Sequence, residues 1–467
     1  MQKKTWARGV LALLWLPLVA SAQEIPREVS PARQNEGDLL MLKKEIEALK
    51  KDYEARLEAL EARLRAAEDR AQASEAKASE ASDMVRLAGR QTQALLASPV
   101  ISNPALGVVL SGSYGHFSQN PSDRLSGFWA KEEEILGHDR GFSLMESEVM
   151  AEASIDPYFS GHLMLAFDEN DVKVEEGYID TLSLPAGFGL RFGRFFSSLG
   201  YLNEKHPHAW NFIDAPLPYR AFFGGANFGD DGVRATWVAP TPWLLEANAE
   251  VFRGGHFPAY ASDNGAGNIV LALHTGADLG ESVFWRAGFS RLWARARDRE
   301  VRLDEPLGQD DLEERLSPSP SFWGKNRVNV LDATLKWQPK GPGRAPDLAL
   351  SGEYFWGREK GEYRGDAVTD VNDGAQGWWL EAAGRVWGRW RTGMRYDTVF
   401  RDNSPIFAAL GDERRRPWRI STMVEFVPSE FSRLRWQYNR DHVEESAGDY
   451  FWLQYIMSLG AHGAHGF

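Results

Sequence analysis

His206 and His208 are separated by one proline, with Glu204 and Asp214 close by, in the stretch 197–214. Imidazoles beside carboxylates are ligands for zinc or a similar borderline ion, which makes this a candidate metal site. The plainer reading is ordinary polar loop surface. A second set is basic. Arg389, Arg391 and Arg395 interleave with Trp390, Thr392, Met394 and Tyr396, and Arg433 and Arg435 interleave with Leu434, Trp436 and Tyr438. Every second residue of a strand shares a face, so these arginines line one wall. They form a ladder that attracts anions along a pore, or a polar wall neutralised by Asp397, Asp441 and the row Glu146, Glu148 and Glu152. No nucleophile elbow, His-Glu-x-x-His, Walker loop or dinucleotide fingerprint occurs, and no enzyme activity is expected.

The elements that hold these residues follow from the two ends of the chain. Lys3, Lys4 and Arg8, the apolar run Val10 to Val19 and Ala20-Ser21-Ala22 read as an export signal over 1–22. The 467 residues contain no cysteine, which excludes disulfides, thiolate metal sites and a lipid-anchored cysteine. No later stretch reaches the roughly 18–20 apolar residues of a membrane helix. Aromatic residues make up 12% with 18 Trp, a level that suits rings at two membrane interfaces. A net charge of −13 argues against a nucleic-acid partner.

From Pro104 onward the hydropathy period is two. Strands are predicted at 107–116, 141–155, 159–168, 173–184, 188–195, 231–239, 243–253 and 269–278. They continue at 283–293, 328–338, 347–357, 377–386, 389–400, 417–427, 431–441 and 449–460. Short Pro- and Gly-bearing turns alternate with long polar connections, the asymmetry of an outer-membrane barrel. The expected fold is an all-β transmembrane barrel of about 16 antiparallel strands over 105–467, ending in the aromatic Phe467. Both chain ends then lie in the periplasm, and the long loops are extracellular. A barrel of this size is expected to leave an aqueous channel.

Before the barrel, 23–37 is a polar tether carrying Pro26 and Pro31. Over 38–97, Leu39, Leu42, Ile46, Leu49 and Tyr53 follow the three-four spacing of a coiled coil, which resumes after a stutter near Leu57. This predicts a periplasmic helical stalk that trimerises the chain or reaches the peptidoglycan. A solvated single helix is the alternative, because the later seam positions are Ala and Ser.

Val174-Glu175-Glu176-Gly177-Tyr178-Ile179-Asp180, then Leu190-Arg191-Phe192-Gly193-Arg194-Phe195 and Asp231-Gly232-Val233-Arg234, resemble the phosphate-selective porin O and P family over roughly 172–240. That resemblance implies a 16-stranded trimeric porin whose basic loop and lumen residues select solutes. Phe196-Ser197-Ser198-Leu199 stands where the family has a Pro-bearing loop start, and the histidines are not part of its pattern. His206-Pro207-His208-Ala209-Trp210 is also similar to barrels labelled zinc-regulated, TonB-dependent outer-membrane receptors. A true receptor of that kind needs a plug domain and about 22 strands, for which this chain is too short.

The leading expectation is a passive outer-membrane porin for small ions or solutes, anion-preferring and a homotrimer embedded in outer-membrane lipid. Its pore-lining residues would be Arg389, Arg391, Arg395, Arg433, Arg435, Glu146 and Glu148. Tyr201, Glu204, Trp210 and Asp214 are expected in a constriction loop folded into the lumen. The alternatives are a zinc-regulated receptor using His206 and His208, and a barrel that anchors an envelope tether.

Overall fold

The computed structural model describes residues 104–119, 121, 125, 128, 140–168, 172–225, 227–260, 265–300, 321–339, 346–365, 368–402, 416–443 and 447–460, with Glu47 alone upstream. The chain divides into two units, Met1–Ser98 and Pro99–Phe467. The expected export signal, tether and coiled coil fall in the first and, Glu47 apart, lie outside the described residues, as does Phe467.

Seventeen strands make one sheet. They are β1 (Ala105–Phe117), β2 (Gly141–Leu144), β3 (Ser147–Ser154), β4 (Phe159–Phe167), β5 (Val172–Thr181), β6 (Phe188–Phe196), β7 (Gly229–Val238), β8 (Leu244–Phe252) and β9 (Asn268–Leu279). The chain continues with β10 (Val283–Glu300), β11 (Ser321–Trp337), β12 (Leu348–Arg364), β13 (Val368–Trp387), β14 (Trp390–Arg401), β15 (Trp418–Ser429), β16 (Ser432–His442) and β17 (Gly448–Gly460). β2 and β3 both pair with β1 and form one interrupted stave, so the barrel has sixteen. Each stave runs antiparallel to the next, and β1 closes on β17 from Gly107↔Gly460 to Phe117↔Tyr450. The expected strand count and closure are both present. Among the described residues, closure leaves no strand at a free sheet edge.

The alternation sorts side chains as lipid would require. On β17, Phe451, Tyr455, Met457 and Leu459 point outward and are exposed, while Tyr450, Trp452, Gln454 and Ile456 are buried inward. On β14 the outward set is Trp390, Thr392, Met394 and Tyr396, and the inward set includes Arg391, Arg395, Asp397 and Val399. A charge facing lipid at mid-depth costs about 2–4 kcal/mol, which fixes which face turns in. Exposed rings gather near the short turns at Trp243, Trp337, Trp387, Trp390 and Phe431, and near the long connections at Tyr114, Tyr354, Tyr438 and Phe451.

Two expectations need correcting. Arg389 does not line the wall. It sits exposed in the turn between β13 and β14, where the chain reverses before the alternation restarts. Strands β10 to β13 run 18, 17, 17 and 20 residues, well past the predicted limits. Their added ends are charged on the outward face of β10, β11 and β12 and largely polar on that of β13, so hydropathy alternation does not register them.

Candidate functional site

The connection between β6 and β7, residues 197–228, turns inward and packs inside the barrel. Its sequence explains why. Leu199, Leu202, Trp210, Phe212, Leu217, Tyr219, Phe222, Phe223 and Phe228 give it enough apolar surface to form a core rather than a solvated loop. Pro216 and Pro218 start a short helix α1 (Leu217–Phe223), which Gly224 ends in the left-handed region at φ 71°. The Phe355 ring on β12 receives Tyr219, Phe222 and Phe223 at centroid distances of 5.4, 5.6 and 5.9 Å. Phe252, Val270, Leu292, Val328 and Val399 from five other staves join the same buried cluster. At the depth of this loop the lumen holds a packed core, where an open aqueous channel was expected.

A loop buried this way must have its backbone groups satisfied. Wall side chains do that work. Glu250 accepts the Ser198 N–H at 2.9 Å, and Glu176 accepts that of Phe196 at 2.9 Å. Glu353 accepts the Leu202 N–H at 3.2 Å and the Trp379 indole at 2.8 Å. Gln437 accepts from Ile213 at 2.8 Å, and Asp397 from Leu217 at 3.2 Å. Gly200 donates to Ser290 with its backbone in the left-handed region at φ 74°, and a Cβ there would crowd the Glu353 carboxylate. Glycine adopts that conformation without the strain a side chain would bring.

The expected pore arginines are the fasteners on the β14–β16 side. Arg395 reaches the Asp214 carboxylate at 3.1 Å and its carbonyl at 2.8 Å, and Arg419 pairs with the same carboxylate. Gln437 and Asn439 donate to Asp214 at 2.6 and 3.1 Å. Burial alone would raise the Asp214 pKa, but Arg395 and Arg419 outweigh it and hold it at about 2. Arg435 donates to the Trp210 carbonyl at 2.7 Å and to Glu425 at 2.7 Å, and Arg391 bridges Asn211 and Glu425. Arg433 is half-buried on the same face, nearer the short turns. The partner of Arg391 and Arg435 is Glu425, not the Glu146–Glu152 row.

The histidines meet the opposite side. His206 Nε2 lies 3.0 Å from Glu176 Oε2 and Nδ1 lies 3.3 Å from Glu175 Oε2. His208 Nδ1 lies 2.7 Å from Glu148 Oε1, and the two imidazoles stack at 5.8 Å. Glu146 pairs with Lys173 at 2.9 Å. Burial pulls the His206 pKa down, yet its hydrogen bonds to Glu175 and Glu176 dominate and hold it well above the ordinary histidine value. Donor atoms of Glu148, Glu175 and His206 lie within 4.8 Å of one another, a set suited to a divalent ion. The carboxylates beside the imidazoles are therefore not those expected. Glu204 accepts from Arg234 at 2.9 Å, and Asp214 is across the lumen.

Glu175 and Glu176 carried no obvious signal, because consecutive strand residues should face opposite ways. A bulge explains them. On β4, Met164 pairs with Glu176 and Leu165 with Val174, so Glu175 is the extra residue and both carboxylates reach His206. Tyr201 and Trp210, expected in a constriction, are both buried in the inserted loop. Lys205 Nζ sits 3.6 Å from the Tyr201 ring centroid, and the Trp210 indole donates to the Lys205 carbonyl at 2.8 Å.

No protein-family model matches the chain. The outer membrane channel DcaP of Acinetobacter baumannii superposes with a TM-score of 0.50 at 10% identity, covering 78% of this chain and 99% of its own, which establishes a shared barrel fold. A looser overlay, TM-score 0.48 at 11% identity over 76% of this chain and 99% of its own, is with a loop-deleted OmpT, an outer membrane protein of Vibrio cholerae. A protein of Aquifex aeolicus (strain VF5), described as an uncharacterized protein, is 30% identical over 354 residues, 71% of this chain and 71% of its own length. With that identity and coverage, the chain belongs to the same family as the Aquifex aeolicus protein.

Proposed function

We propose that the protein is an outer-membrane channel for small ions or solutes whose passage is controlled by the inserted loop 197–228. The observation that carries this is the contrast between the two faces of one closed wall. Its outward side chains form an apolar band bordered by rings, and the charged side chains at that depth, among them Arg395, Arg419, Arg435, Glu425 and Glu250, turn inward. A barrel that served only as an anchor has no need of so many inward charges. The matched arginine–carboxylate pairs leave little net field at the loop, which favours weak anion preference over strong selection. A homotrimer is the assembly we favour.

Planar-bilayer recording tests this reading. The intact chain is expected to give small conductance steps, and a chain with 200–224 replaced by a short Gly-Ser linker much larger ones. If neither gives ion-permeable steps, the channel reading fails. A reversal potential in a salt gradient reports the sign of the selectivity.

The cluster Glu148, Glu175 and His206 favours a second reading, in which the lumen captures zinc or a similar ion. Held between the loop and strands β3 and β5, such an ion would replace the imidazolium proton as the positive charge between the carboxylates. Equilibrium zinc binding by the purified barrel should be lost in a His206→Ala/His208→Ala variant. Undiminished binding would exclude this pair as ligands.

A further inference from the structure

The outward face of β10, β11 and β12 changes character partway up. Near the short turns it is apolar, with Leu331, Leu335, Leu350 and Trp337 exposed. From Leu348 to Trp356 a tilted strand rises about 20 Å, close to the height of the apolar band of such barrels. Directly above stand Arg291, Arg295, Lys325, Arg327, Arg358 and Lys360, all on the outward parity. Their inward neighbours Leu292, Val328 and Phe355 belong to the core around the loop.

These cations are set against one another by the strand register. Arg327 pairs with Arg358, Lys325 with Lys360, and Arg295 with Lys325. Residues directly opposite on adjacent strands have side chains starting roughly 5 Å apart, and like charges in that position are destabilising. The residues directly opposite on the flanking strands do not relieve them. Leu271 and Ile269 of β9 stand beside Arg291 and Trp293, and Gln376, Gly374 and Asn372 of β13 stand beside Trp356, Arg358 and Lys360. Arg358 donates to Asn372 at 3.3 Å and Arg291 to Asn329 at 2.6 Å, both neutral acceptors. Carboxylates among the described residues border the patch only at its edges, Asp402 on one side and Glu362 with Asp370 beyond Lys360, and Glu362 is already paired with Arg364 at 3.2 Å. Among the described residues, Arg291, Arg327, Asn329, Trp356, Arg358 and Asp402 line a cleft of about 250 Å³.

A cationic surface that begins where an apolar, ring-bordered band ends matches a lipid with acyl chains below and phosphates above. We propose that this face of β10–β12 binds the phosphate groups of an anionic lipid in the leaflet on the long-loop side. Acyl chains then lie on Leu331, Leu350 and Tyr354, and phosphate oxygens accept from the arginine forks, which suit such oxygens bidentately. The lipid supplies the counter-charge that the cross-strand pairs lack. The inference rests on the outer-membrane placement proposed above, though not on conduction.

The test uses the full chain in neutral maltoside detergent, titrated with diphosphoryl lipid A or with its dephosphorylated form, and an Arg327→Gln/Arg358→Gln variant. Because the variant removes a like-charge pair, it should unfold at a higher temperature than the parent when no lipid is added. The parent should gain thermal stability with diphosphoryl lipid A and little with the dephosphorylated form. The variant should bind the diphosphoryl form about thirtyfold more weakly, the effect of two surface cations facing anionic lipid. Equal lipid stabilisation of parent and variant would overturn the proposal. So would an equal gain from inorganic phosphate, which would make the site one for free anions. Loss of oligomer in the variant without a lipid effect would assign the face to a second copy instead. Bilayer conductance of the same variant should match the parent, since neither residue faces the lumen. A dead channel that still binds lipid A would therefore refute conduction alone.

Discussion

The inserted loop is held on two sides by different chemistry. Toward β14–β16 it presents Asp214 to Arg395 and Arg419, and its carbonyl at Trp210 to Arg435. Toward β3 and β5 it presents His206 and His208 to Glu175, Glu176 and Glu148. A guanidinium stays charged under all ordinary conditions and grips a carboxylate with a planar fork. An imidazole can lose its proton or exchange it for a metal ion. The first side is held by groups that do not titrate in the ordinary pH range, and the second by groups whose charge can be exchanged.

The largest effect should come from cutting the arginine side. Asp214→Ala removes the carboxylate that Arg395 and Arg419 share and leaves them only Asp397 and Asp441, which should cost about 3 kcal/mol, the low end for breaking a buried ion pair. Urea unfolding in detergent should show that loss, with an enlarged conductance step, and an unchanged step would mean that this side does not hold the loop. Acid sharpens the same point. A carboxylate held down at about 2 contributes stability that is complete above its unfolded value near 3.8 and disappears as pH falls through 2. The Asp214 attachment should therefore hold through ordinary acid and fail only near pH 2, read as the onset of larger steps.

On the histidine side, His206→Ala removes the cation between Glu175 and Glu176 and should cost about 1–3 kcal/mol. Its step size should rise less than that of Asp214→Ala. If the histidine variant opens the channel further, the roles of the two sides are reversed. The smallest effect is expected at Glu204, whose pairing with Arg234 is 36% exposed on the acid side. Glu204→Gln should change stability by no more than about 1 kcal/mol.

The sequence carried most of the wall and only part of the site. Strict alternation in segments such as Leu434-Arg435-Trp436-Gln437-Tyr438 determines both the strand and its inward face. The same signal stops at Arg358 and Lys360, because a strand charged on its outer face has no apolar beat to detect. Aromatic density in 197–228 pointed to an inward loop. Its partners were not legible, since Glu250, Glu353 and Glu425 are single inward acids like any others until tilt and register place them. The bulge at Glu175 is a sharper case. One extra residue turns two neighbouring glutamates toward the same histidine, and alternation alone assigns them to opposite faces.

Ile213 of the loop packs with Phe117 of β1, Tyr450 and Trp452 of β17, and Met145. His208 and Gln437 bind the loop to β3 and β16, which flank the junction of β1 and β17. The segment that fills the lumen therefore also clasps the seam where the first and last strands meet. A cylinder is complete only when its two ends find each other, and here the inner strap touches both. The contacts that seat the stopper are thus also contacts across the seam, and a chain lacking the strap would hold that seam by the β1–β17 ladder alone.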